Sequence, residues 1–270
     1  MENKKVVLIT GCSSGIGRGL CEVLTAKGYS VAATARKPQS LNGLQVALKL
    51  PLDVTRPESI KEAMDEIMAR LGRLDILINN AGYAIRGALE EVSGESIKQM
   101  FDVNVFGICN MVRAVVPVMW DNPDAKIVNI GSISGRFAQP VNGAYCASKF
   151  AVEALTEALR LELYSRHIQV TVIEPGPVGT EFFKTSVDNS TTVMDNPKTH
   201  YASLYRTSAD FMKSQKMADP LVVCRTIAGI IGKQTLKPRY MVAVPYRSRM
   251  LTRFSDSLKE FCLKSGYKIS

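Results

Sequence analysis

Val6-Val7-Leu8-Ile9 is an unbroken apolar run, and it breaks at once into Thr10-Gly11-Cys12-Ser13-Ser14-Gly15-Ile16-Gly17. An amphipathic stretch follows to about Lys27, with Leu20, Val23 and Leu24 on one side and Gly28 after its end. Strand, glycine-rich turn, helix is the layout that sets the backbone N–H groups of a helix N-terminus against a pyrophosphate. A strand that is apolar at every position is buried on both faces, as in a parallel sheet covered by helices. The opening stretch therefore predicts an α/β chain with a nucleotide site at its first turn.

The rest of the chain repeats that alternation. Further strands are predicted at 30–35, near 46–50, at 75–78, 126–130, 168–173 and 239–244, with helices over 58–71, 93–120, 143–166 and 221–232. No internal repeat or second domain interrupts them. The predicted fold is a single α/β domain, a parallel sheet with helices on both faces, spanning 1–247. Residues 185–197 are rich in Ser, Thr, Asn and Asp and read as a mobile loop. With the helical pattern at 200–217 they form an insertion, 185–217, read as a substrate lid. Its wall candidates are Tyr201, Tyr205, Phe211 and Met212.

Composition narrows the function classes. With 270 residues the chain can bury a full core. No uncharged apolar run approaches the roughly 18 residues that span a bilayer. Six Cys lie far apart and only His167 and His200 are present, which excludes the usual zinc patterns and fits a reducing, cytoplasmic setting. The net charge is +9, yet no nucleic-acid module accompanies it. Between Lys237 and Ser270 stand eight basic and two acidic residues, so most of the charge sits in the tail. Met250, Leu251, Phe254, Leu258, Phe261 and Cys262 fall on one face of a basic amphipathic helix over 248–270. That helix packs on the domain or a partner subunit, or lies on an anionic membrane surface.

Ligands in open α/β sheets bind at the carboxyl ends of strands. The glycine loop, Asn79-Asn80-Ala81-Gly82, Ser132 and Pro175-Gly176-Pro177-Val178-Gly179-Thr180 all stand at such ends. Tyr145 and Lys149 are four apart on a predicted helix, hence on one face. An ammonium about 4 Å from a phenol at an effective dielectric near 20 contributes about 4 kcal/mol. That would bring Tyr145 toward use as an acid or base near pH 7. The bland alternative is a helical Tyr with an unrelated Lys.

Nineteen residues after Gly17, where an acidic residue would select NAD, stands Arg36, followed by Lys37. No Asp or Glu occurs between Glu22 and Asp53. A guanidinium there bonds a 2′-phosphate with two charge-assisted hydrogen bonds, and Ser13 and Ser14 can add hydroxyl donors. NADP is the predicted cofactor.

Together these stretches, Thr10-Gly11-x-x-x-Gly15-x-Gly17, Asn79 to Gly82, Ser132 with Tyr145-x-x-x-Lys149, and Pro175-Gly176, resemble the short-chain dehydrogenase/reductase family over about 4–244. The wording around Tyr145 and Glu174 looks closest to its retinol and hydroxysteroid dehydrogenase branch. The resemblance implies a single-domain Rossmann-type, doubly wound parallel sheet of about seven strands and hydride exchange between a nicotinamide cofactor and a ketone/aldehyde–alcohol pair. It implies that Tyr145 is the acid/base, that Ser132 positions the substrate oxygen, and that Lys149 binds the nicotinamide ribose and lowers the Tyr145 pKa. Asn104 matches the helical Asn of a water relay. Asp53 and Val54 match adenine contacts, Asn80, Ala81 and Gly82 flank the adenine ribose, and Val178 and Thr180 match carboxamide contacts. Gly11 to Gly17, Ile16 included, would cradle the pyrophosphate. A homodimer or homotetramer is implied by the same likeness. The expected substrate is an apolar steroid, retinoid or similar carbonyl compound. The alternative from another class is a non-catalytic NADP(H)-sensing regulator, and a sugar-nucleotide epimerase is disfavoured by the glycine spacing.

Overall fold

In β1 (Val6–Ile9) alternate side chains enter different cores. Val7 and Ile9 pack with Leu20, Leu24 and Ile227, while Val6 and Leu8 pack with Ile67, Met111 and Val115. This is why the run is apolar throughout: successive strand residues point to opposite faces, and both faces are covered. The structure is a computed structural model that describes residues 4–267. Residues 1–3 of the predicted domain and Lys268 of the basic tail lie outside the described residues.

The elements follow in the predicted alternation: α1 (Gly15–Ala26), β2 (Ser30–Ala35), β3 (Leu48–Pro51), α2 (Pro57–Leu71), β4 (Ile76–Asn79), α3 (Gly94–Phe101), α4 (Gly107–Met119), β5 (Lys126–Ile130), α5 (Gly143–Glu162) and β6 (Gln169–Pro175). Then come α6 (Glu181–Asp188), α7 (Thr191–Met194), α8 (Ala202–Ser214), α9 (Pro220–Ile231), β7 (Arg239–Val242), α10 (Tyr246–Leu251) and α11 (Asp256–Tyr267). The seven strands form one parallel sheet in the order β3-β2-β1-β4-β5-β6-β7. Chain order reverses between β1 and β4, which leaves a crevice at their carboxyl ends. Thr10 closes its floor: its Oγ1 accepts from the backbone N–H groups of Asn80 and Ala81, each at 3.0 Å.

Helices α3 and α4 are one continuous helix with a π turn at Asp102–Phe106 between them. The widened turn carries Asn104, which is 1% exposed. By length and composition alone 94–119 is long and apolar enough to cross a membrane. One face of it packs into the protein, with Met100, Met111, Val115 and Met119 fully buried, while Phe106 and Val118 are exposed.

Two expectations need correction. Residues 185–197 are not one loop. Most of the polar stretch lies in α6 and α7, because its hydroxyls serve the backbone locally: Ser190 Oγ donates to Ser186 O at 2.6 Å and Thr191 Oγ1 to Asp188 O at 3.0 Å. The tail is not one helix either. Residues 252–255 break it into α10 and α11, so its apolar residues do not share a single stripe. Tyr267, at the end of α11, is buried against Phe211 of α8, with ring centroids 5.4 Å apart.

Candidate active site

One cleft of about 1010 Å³ runs along the carboxyl edge of the sheet from the glycine loop to α8 and α11. Gly11, Ser13, Ser14, Gly15 and Ile16 line one end, with Arg36 at the end of β2. Asp53, Val54, Asn80, Ala81 and Gly82 line the same part. Ser132, Tyr145 and Lys149 stand further along, beside Pro175, Gly176, Val178 and Thr180. Of the predicted site residues, Gly17, Lys37 and Asn104 do not line it.

The cradle at the nucleotide end is built by close backbone approach. Gly11 takes φ +72°, and an added Cβ would stand 2.8 Å from the Ala81 Cα. At Gly17 an added Cβ would collide with the Gly11 carbonyl oxygen and the Asn80 side chain, so that glycine shapes the loop from behind. Asn80 Nδ2 holds the loop by donating to Thr10 O at 2.9 Å and to Gly11 O at 3.0 Å. Ser14 is the N-cap of α1, yet its side chain caps no helix N–H, so its hydroxyl remains for a ligand. Lys37 precedes a short 3₁₀ turn at Pro38–Leu41 and is exposed. A tight loop at a helix N-terminus, with an exposed Arg36 at its side, fits the phosphates of a dinucleotide.

At the other end β5 delivers Ser132 and α5 delivers Tyr145 and Lys149. Lys149 Nζ donates to Ile130 O at 2.8 Å and lies 5.8 Å from the Tyr145 ring centroid. Burial pushes the Lys149 pKa down to about 8, with the nearby Glu153 opposing the shift. Tyr145 departs from the sequence expectation. Burial holds its phenol well above the usual range, opposed by a hydrogen bond from Ser132 and by the charge of Arg86. Asn104 acts on the turn behind the site. Its Oδ1 accepts from Tyr83 N at 3.0 Å, and its Nδ2 donates to Tyr83 O at 2.9 Å and to Ser148 Oγ at 3.1 Å.

Residues 5–191 match the family model for short chain dehydrogenase. The chain is a short-chain dehydrogenase/reductase. It is similar to the 3-ketodihydrosphingosine reductase of Bacteroides thetaiotaomicron, at 43% identity over 66% of this chain and 65% of that protein's length. It is also similar to the uncharacterized oxidoreductase YusZ of Bacillus subtilis, at 33% identity over 93% of each. Among solved structures, a short-chain dehydrogenase from Streptomyces avermitilis superposes with a TM-score of 0.82 at 30% identity, covering 98% of this chain and 96% of that one. A serine dehydrogenase complexed with NADP+ superposes at 0.76 with 28% identity, covering 88% and 94%.

Several wall residues of this dehydrogenase/reductase were not singled out by the sequence reading: Phe137, Phe182, Phe183, Arg86 and Tyr267. Phe182 packs on Tyr145 with ring centroids 5.8 Å apart. A signal existed for Phe182 and Phe183, which directly follow Thr180 and Glu181. None existed for Tyr267, whose place depends on how the tail turns. Of the four lid candidates Phe211 and Met212 line the cleft, whereas Tyr201 and Tyr205 do not. Tyr205 is buried elsewhere: its hydroxyl donates to Glu91 and accepts from Ala88 N at 2.9 Å.

Proposed function

We propose that this chain is an NADP(H)-dependent oxidoreductase that interconverts a ketone or aldehyde and an alcohol on a largely apolar small molecule. The observation that carries the reading is that Ser132, Tyr145 and Lys149 line the same cleft as the glycine loop and Arg36. When bound, the nicotinamide cofactor supplies the hydride to the carbonyl carbon or takes it back. Tyr145 Oη gives its proton to the carbonyl oxygen during reduction and recovers it during oxidation. Ser132 holds that oxygen with its hydroxyl. Lys149 bonds ribose hydroxyls and presents positive charge to Tyr145, and Asn104 fixes the turn at Tyr83 and the start of α5.

Burial raises the Tyr145 pKa. A phenol held this high keeps its proton at neutral pH but gives it up less readily, so the positive charge of Lys149 is needed to bring it toward use as an acid. The apolar wall of Phe137, Phe182, Phe183 and Phe211 favours a hydrocarbon body. A relative named for a ketone substrate is in keeping with this. Arg36 supports NADP over NAD. Large apolar side chains left exposed on and beside α5, Phe150 at 45% and Tyr164 at 81%, support pairing of copies through that helix.

The test is a panel of retinoids, steroids and small ketones with NADPH and NADH, following loss of the reduced nicotinamide absorbance. NADPH should bind at least roughly tenfold tighter than NADH, as expected from about 1.5–3 kcal/mol per charged hydrogen bond. Arg36→Asp should reverse that ratio. Binding of cofactor without turnover of any carbonyl would favour the sensor, and equal affinities in the wild type would overturn the NADP assignment.

A further inference from the structure

Arg86 stands in the stretch Tyr83-Ala84-Ile85-Arg86-Gly87, between β4 and α3, and lines the substrate end of the cleft. Its backbone is fixed from outside, its N–H donating to Ser190 Oγ at 2.7 Å. Nε donates to Ser186 Oγ at 2.9 Å, one terminal nitrogen lies against the Met212 sulfur, and Cζ stands 5.8 Å from the Phe183 ring centroid. The titratable groups that feel its charge most are Tyr267, Tyr145 and Cys146, which are neutral at pH 7. Among the described residues no carboxylate forms an ion pair with it. Burial accordingly pushes its pKa down.

Burying a charge is costly unless it is paired. If the residue only tied the chain to α6 and α7, the backbone bond to Ser190 and a neutral side chain reaching Ser186 would serve. A guanidinium keeps five N–H donors in a planar fork suited to a carboxylate. Only Nε is spent on a conventional hydrogen bond among the described residues. The remaining donors sit in an aromatic cleft, where a charge-assisted bond counts for more than in water.

We infer that Arg86 anchors an anionic group of the substrate, a carboxylate, so that this enzyme acts on oxo or hydroxy acids with an apolar body. This rests on the reading of Tyr145 as the reacting acid. Arg86 and Tyr145 line the same cleft, together with Phe182 and Phe183. The carboxylate and the reacting carbonyl therefore belong to one short molecule, or to one end of a longer one. A substrate with an ammonium in that place meets a like charge and is rejected, and a neutral one forfeits the pairing. This narrows the apolar steroid or retinoid expected from sequence to acids.

The experiment is calorimetric titration of the NADP+-loaded protein with hexanoate, 1-hexanol and hexylamine, which needs no turnover. In the wild type hexanoate should bind at least roughly tenfold tighter than hexanol, and hexylamine weakest. Arg86→Met should abolish the preference and Arg86→Lys should keep part of it. Hexyl phosphate in a fourth arm tells carboxylate from phosphate, and tighter binding of the phosphate would overturn the carboxylate assignment. No hexanoate binding at millimolar concentration, equal binding of hexanol or hexylamine, or a preference that survives in Arg86→Met overturns the inference. The wild-type comparison stands even where Arg86→Met fails to fold. NADPH affinity is titrated separately, so failure of the cofactor reading is seen apart from failure of the anchor.

Discussion

Lys149 Nζ and the carbonyl oxygen of Ile130 are 2.8 Å apart, which ties the first turns of α5 to the last residue of β5. Ser132 follows Ile130 by two residues. The lysine is therefore held by the strand that delivers the serine. The bond also confines the ammonium where burial disfavours its charge and brings its pKa to about 8. In the unfolded chain a lysine titrates near 10.4. Between those values the unfolded state carries the extra proton, so stability contributed here rises with pH. The penalty is fully present below about pH 8 and is relieved as pH climbs toward 10.

The first prediction uses that sign. Lys149→Met keeps the apolar stem and removes the titration. In the cofactor-free protein the melting temperature of the wild type should gain on that of the variant as pH rises from 8 to 10. Parallel curves would mean that Lys149 is not strained by burial. The same variant should lose turnover.

Tyr145→Phe is the second. The ring keeps its packing on Phe182, and the proton carried by the hydroxyl is gone. Turnover should fall by at least about 10²-fold, the low end for general acid/base catalysis, with NADPH affinity nearly intact. The measurement is steady-state kinetics alongside cofactor titration. Wild-type turnover in the variant would refute the role given to Tyr145.

The sheet, the glycine loop and the Ser132, Tyr145 and Lys149 set were legible because each is fixed by short-range pattern: a fully apolar strand, a turn needing glycine, a four-residue helical spacing. Arg86 was not. A lone arginine in a connection gives no signal until the fold sets Tyr145, Phe183 and Tyr267 around it. Ser186 and Ser190 misled, since the residues that mark loops also cap and brace short helices when one buried serine bonds another's backbone. The Tyr145 pKa misled for a further reason. Spacing puts Lys149 on the same helix face but says nothing of the burial that raises the phenol.

A third prediction concerns the carboxyls behind the site. Glu153 lies one turn after Lys149 on α5, and Glu174 is fully buried on β6. Arg239 reaches both, Nε 3.3 Å from Glu174 and a terminal nitrogen 3.5 Å from Glu153, and Arg136 lies 3.5 Å from Glu174. Burial first, then repulsion by Glu174, pushes Glu153 up to about 8. Burial raises Glu174 as well, so the pair keeps a proton at neutral pH. Here the folded state holds the extra proton between about 4.5 and 8, and stability falls as pH rises through that window. Glu153→Gln mimics the protonated acid. Its melting temperature should gain on the wild type from pH 5 to 8, and an unchanged difference would show that Glu153 does not hold the proton.

The last prediction decides what the tail does. An amphipathic helix that binds a bilayer reserves its apolar face for lipid. Here that face is broken between α10 and α11, and Tyr267 is spent on Phe211 and the cleft wall. Phe261 remains 71% exposed with Leu258 at 43% one turn before it on α11, and Tyr246 at 76% on α10, but the break at 252–255 keeps them from forming one continuous stripe. Packing should therefore outweigh membrane binding. The full chain and a chain truncated at Pro245 should pellet equally with phosphatidylserine vesicles. Tyr267→Ala, which leaves the tail in place, opens the cleft and should raise KM for the preferred substrate several-fold, with NADPH affinity unchanged. Selective pelleting of the full chain together with an unchanged KM in Tyr267→Ala would reverse the assignment and make the tail a membrane contact.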